Sequence, residues 1–183
     1  MIDEEVCVEC STCVRAGVCE PEAFYQLPLT WPRVLRAQFS DPLVTHPSTG
    51  IWGRGTSEVK TLDVSGRLAP GRIGLIIEVG RPGISASFKD VEIITMALAG
   101  HVSFAPLNPT SILIDPATGQ LRDSLVRNER VLSAIVECQV AEEQVVLILH
   151  RLQQVERRVD TVFSLAVMGL CVDGDLPWYD TLK

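Results

Sequence analysis

The apolar positions of this chain recur with regular periods from residue 72 onward and with none before it. Ile73, Leu75, Ile77 and Val79 alternate with other residues and predict a strand over 73–79, closed by the turn Gly80-Arg81-Pro82-Gly83. Ser87 with Asp90 three positions on has the form of a capping box, and it opens a helix through Ala99 that stops at Gly100. Val91, Ile94 and Leu98 form the apolar stripe of that helix. A short strand follows over 101–104. Residues 111–115 and 120–122 then flank the turn Asp115-Pro116-Ala117-Thr118-Gly119, which predicts a small hairpin. Residues 131–140 read as a strand with Leu132, Ala134, Val136 and Cys138 on one face. Residues 141–158 carry Val145, Ile148, Leu149, Leu152, Val155 and then Val159 at helical spacing, and residues 161–168 supply a last strand.

Strand, helix, strand followed by strand, helix, strand implies an α+β fold. The order βαββαβ is similar to the ferredoxin-like plait, an antiparallel sheet with two helices on one face, here with a small hairpin insertion. The stretch Val79-Gly80-Arg81-Pro82-Gly83-Ile84 leading into a helix, and then Gly100-His101-Val102, resembles the opening half of the ACT family of small regulatory plaits. That resemblance supports the plait and implies a module that binds a small ligand or oligomerises.

Three segments follow from the pattern. Residues 1–30 form a cysteine-rich module, too short and too acidic to bury a core of its own. Residues 31–71 form an irregular polar connector with turn signals at Asp41-Pro42, His46-Pro47-Ser48-Thr49-Gly50 and Gly53-Arg54-Gly55. Residues 72–183 form the plait.

The chain has 183 residues, of which 46% are hydrophobic and 21% charged, enough for one buried domain and a small appendage. Its formal net charge of −7 leaves no basic footprint for nucleic acid and points to a basic partner instead. No apolar run reaches the ~18 residues of a membrane span. The acidic start Ile2-Asp3-Glu4-Glu5 is unlike a signal peptide, so a soluble, cytoplasmic protein is expected.

Four of the six cysteines, Cys7, Cys10, Cys13 and Cys19, fall in the first nineteen residues. Spacing of two residues between Cys7, Cys10 and Cys13 lets a looping backbone present three thiolates to one face of a cubane. The run Cys7-Val8-Glu9-Cys10-Ser11-Thr12-Cys13, with Cys19-Glu20-Pro21 after it, resembles the bacterial ferredoxin-type [4Fe-4S] proteins. In that family the fourth cysteine follows three residues after the third and precedes a proline directly. Here Cys19 lies further on, and Glu20 intervenes before Pro21. Cys19 is favoured as the fourth ligand, with Cys171 the runner-up.

The alternative metal is zinc, but zinc sites usually come as two Cys-x2-Cys pairs well separated in sequence. Cys138, on the apolar face of its strand, reads as a small core residue. Asp3, Glu4, Glu5, Glu9, Glu20 and Glu22 against Arg15 make the module acidic. That charge lowers a cluster's potential and offers a docking face to a basic redox partner. Phe24, Tyr25 and Trp31 either shield the metal from water or join the module to the plait. In the connector, Arg54, Lys60 and Arg67 are candidates for contact with an anion or a partner, against the simpler expectation of a solvated loop.

Neither a dinucleotide fingerprint, a phosphate-binding loop nor a nucleophile motif around His46, His101 or His150 is present. An electron-transfer protein, or the electron-transfer subunit of a larger oxidoreductase, is therefore expected rather than an enzyme acting alone. The other expectation is a regulatory or assembly module whose metal site is structural.

Overall fold

The computed structural model describes residues 2–21, 23–53, 55, 68–81 and 83–179. In chain order its elements are α1 (Thr12–Arg15), α2 (Val34–Ser40), β1 (Arg72–Val79), β2 (Ala86–Ser87), α3 (Phe88–Leu98) and β3 (Ser103–Phe104). Then come α4 (Pro109–Leu113), β4 (Arg130–Val131), β5 (Ala134–Ala141), α5 (Val145–Val155) and β6 (Phe163–Met168). The fold is mixed α+β around a four-stranded antiparallel sheet of order β3-β5-β1-β6, with β2 and β4 paired apart from it.

β1 lies between β5 and β6, which makes it the strand with neighbours on both edges along most of its length. Seven of its eight residues are buried, because its second face is covered too, with Ile76 packed beside Ile135, Ala166 and Met168. Its alternating residues Ile73, Leu75, Ile77 and Val79 are each 0% exposed and join one core with Ala134, Val136, Cys138 and Val140 of β5. The stripes of the two long helices, Val91, Ile94 and Leu98 on α3 and Val145, Ile148, Leu152 and Val155 on α5, close that core. The capping box of α3 is complete: Ser87 accepts from the Asp90 amide, and the Asp90 carboxylate accepts from the Ser87 amide at 3.0 Å. A box of this kind stabilises a helix by about 1 kcal/mol.

Four expectations change in detail. The connector contains α2, whose Leu35 and Phe39 are 2% and 1% exposed and enter the same core, with Phe39 edge-on to Phe88 at 5.2 Å. The hairpin over 111–122 reduces to a single bridge, Ile114 with Leu121, because Asn108 caps the Thr110 amide and Pro109 takes the first helical position, which starts α4 instead. The strand over 131–140 divides into β4 and β5, since the Leu132 amide leaves the ladder to donate to the Ser40 hydroxyl at 2.8 Å. Leu132 thereby turns outward and is 39% exposed. The last helix is α-helical only over Val145–Val155, with a single 3-10 turn at each end.

Candidate metal centre

The cysteine-bearing segment has no buried residue between Ile2 and Pro21, so something other than apolar packing must hold it. Its shape begins in the backbone. Glu9 and Ser11 both take the left-handed conformation, at φ 56° and 55°, and bend the loop around Cys10 before the single turn α1 carries Cys13. Left-handed residues next to right-handed ones are how successive backbone amides come to face one side in anion-binding nests. The Glu9 amide donates to Cys7 Sγ at 3.4 Å. Among the described residues, the amides of Val8, Cys10, Ser11, Thr12 and Cys13 donate to no acceptor.

Several of the carbonyls of the same segment face arginines. Arg36 Nη1 lies 2.9 Å from the Glu4 carbonyl, 3.3 Å from that of Glu5 and 2.7 Å from that of Cys7. Arg33 donates to the Glu4 carbonyl at 2.9 Å and pairs with the Glu9 carboxylate. Arg15 reaches the Cys10 carbonyl at 2.7 Å and pairs with Asp41 at 2.7 Å. Burial pushes the Asp41 carboxyl up, but the nearby Ser11 hydroxyl and the bonds from the Leu43 amide and Arg15 outweigh it and hold it below the usual range. At Cys7 burial prevails: it pushes the thiol up, against the lowering effect of the Glu9 amide.

All six cysteines are free thiols. Cys7, Cys10, Cys13 and Cys19 are each partly exposed and lie in one segment. Cys13 and Cys19 share a cavity of about 360 Å³ with Gly17, Phe24 and Tyr25, while Cys10 Sγ contacts Thr12 Oγ1 at 3.3 Å. Among the described residues, no three Cys, His, Asp or Glu side chains are gathered closely enough to hold one metal ion, so ligation requires the thiols to converge. The donor set nevertheless suits an iron–sulfur cluster: four thiols, amides free to donate to sulfur, and flanking carbonyls occupied elsewhere. Cys138 is 1% exposed in the core, and Cys171 is exposed beyond β6 and does not line that cavity.

The three aromatic residues sit in different places. Phe24 and Tyr25 line the cavity beside Cys13 and Cys19, and Trp31 ties the segment to the body by donating to Asp123 at 2.9 Å. Arg54, Lys60 and Arg67 lie outside the described residues. Sequence reasoning passed over Arg33, Arg36 and Glu129. The signal available for the first two was their spacing of three, Arg33 at the N-cap and Arg36 inside a helix whose Leu35 and Phe39 recur at four. A second cavity, of about 540 Å³, runs between this segment and α3; cations and carboxylates line it in equal number, so no net charge selects a ligand there. Compared with family models, with characterised proteins and with solved structures, the chain matches none.

Proposed function

We propose that the chain carries one [4Fe-4S] cluster on Cys7, Cys10, Cys13 and Cys19 and works as an electron-transfer protein, alone or as a subunit of a larger oxidoreductase. The observation that carries this is the loop's polarity: free thiols and free amides on a backbone whose carbonyls are drawn off by Arg15, Arg33 and Arg36. A thiolate-bound cluster is anionic, and amides directed at its sulfurs lower the cost of adding an electron. When bound, such a cluster supplies one-electron oxidation and reduction.

The rest of this chain positions and shields. Phe24 and Tyr25 flank the cavity at Cys13 and Cys19, where a bound cluster would cover part of their exposed rings. The exposed carboxylates of Asp3, Glu4, Glu5 and Glu20 favour a basic redox partner in the cytoplasm. The sheet order β3-β5-β1-β6, with α3 and α5 each linking two strands that flank a third, supports a ferredoxin-like plait as the scaffold.

Anaerobic loading with iron and sulfide should give a brown protein whose visible absorption bleaches with dithionite and returns on reoxidation. Cys19→Ser should abolish that colour and Cys171→Ser should leave it. A colourless protein with about one bound zinc would replace this reading by a structural metal site.

A further inference from the structure

Arg36 is an unusual residue to find on a helix that packs into a core. It is only 7% exposed, and both of its neighbours in the sequence, Leu35 and Ala37, are buried as well. Its guanidinium meets two groups of partners. Nε donates to the Glu129 carboxylate, while Nη1 faces the carbonyls of Glu4, Glu5 and Cys7, which lie 29 to 32 positions away in sequence. Glu129 is itself anchored: its carbonyl accepts the first amide of α3, from Phe88, at 3.1 Å. Phe88 packs on Phe39, one turn along α2 from Arg36. An unbroken chain of contacts thus runs from the core through α2 and Glu129 into Arg36, and from Arg36 into the backbone that bears Cys7.

We propose that Arg36 is the positioning residue of the cysteine loop, which holds it in place whether or not a metal is bound. A guanidinium suits this role because its planar donors can satisfy a carboxylate on one edge and carbonyls on another without losing their charge at any working pH. The consequence separates this protein from small metal domains whose fold is created by the metal. Here the backbone over residues 4–7 is ordered by the core, so replacing a lost cluster asks only for the thiols along the loop to converge and not for the chain to refold. The fixing of the loop stands on the contacts alone; the part that concerns cluster replacement rests on the function proposed above.

The test compares wild-type protein with Arg36→Met and Arg36→Lys. Hydrogen–deuterium exchange on protein stripped of metal reads the loop directly. Exchange at the Cys7 and Glu9 amides should quicken on the order of tenfold or more in Arg36→Met, with β1 and β5 unchanged, and less in Arg36→Lys, which keeps the charge but loses the fork. On iron-loaded protein, loss of the visible band to a chelator should quicken several-fold in the same order. If Arg36→Met also loosens β1 and β5, Arg36→Lys alone carries the comparison. Unchanged loop exchange in a folded variant would overturn the proposal, even in a protein that takes up iron. Failure of the wild-type chain to take up iron would overturn the proposed function instead, and the exchange result would still decide what Arg36 does.

Discussion

Residues 2–21 and the sheet with its two long helices are held by opposite means. The sheet is made by exclusion of water: Ile73, Leu75, Ile77, Val79, Val91, Ile94, Leu98, Val145 and Ile148 are all 0% exposed and form one cluster. The cysteine segment has no buried residue at all and is held by Arg15, Arg33 and Arg36 through carbonyls and carboxylates. Apolar burial is not weakened by charge screening or by pH, whereas charge-assisted hydrogen bonds respond to both. One chain therefore pairs a stable platform with a loop whose hold can be adjusted without unfolding the platform.

The largest expected effect is on the platform. Ile148→Ala should remove about 2–5 kcal/mol of stability, read as a fall in the urea midpoint at unchanged slope. The same substitution should leave exchange at the bonded Cys7 and Glu9 amides unchanged until global unfolding. A loop that loosened first would mean that the two regions share a core.

Two smaller effects of similar size follow, the first at the loop's second anchor. Asp41→Asn removes the partner of Arg15 and should cost roughly 1 kcal/mol or less, because Arg15 is partly exposed, and raising salt should shrink the difference. Loss of protection should appear at the Arg15 and Ala16 amides, which donate to the Ser11 and Thr12 carbonyls, and spare β1.

Ser87→Ala breaks the capping box of α3 and should cost about 1 kcal/mol, read as a fall in melting temperature of a few degrees. It tests the platform at a point where polar contacts, not burial, do the stabilising.

The smallest effect is the pH response of His46. This side chain is 5% exposed, edge-on to Phe39 at 5.3 Å, and burial holds it below its ordinary value. The unfolded chain then binds a proton that the folded chain refuses. His46 therefore costs no stability above about pH 6.5, and stability falls as the pH drops below that toward the lower folded value. His46→Gln should flatten the urea midpoint over that window, and an unchanged slope would show that the titration lies elsewhere.

Much of the platform was legible because its signals are local. The alternation of residues 73–79 and the Ser87–Asp90 box each lie within a few residues, and both survive in β1 and α3. The helix α2 was hidden because Pro32 and Asp41-Pro42 frame it as a loop, and its two core residues are too few to establish a period. The break between β4 and β5 was hidden because its cause, the bond from the Leu132 amide to Ser40, spans 92 positions. The site divides in the same way. Four cysteines within thirteen residues are visible at once, whereas the contacts of Arg36 join residues brought together only by the fold.

The proposed role of the cysteine segment is tested most directly by iron, acid-labile sulfide and zinc analysis of protein purified without oxygen. The cluster account predicts about four irons and four sulfides per chain, with no stoichiometric zinc, and their loss in Cys7→Ser. About one zinc per chain and no sulfide would contradict it.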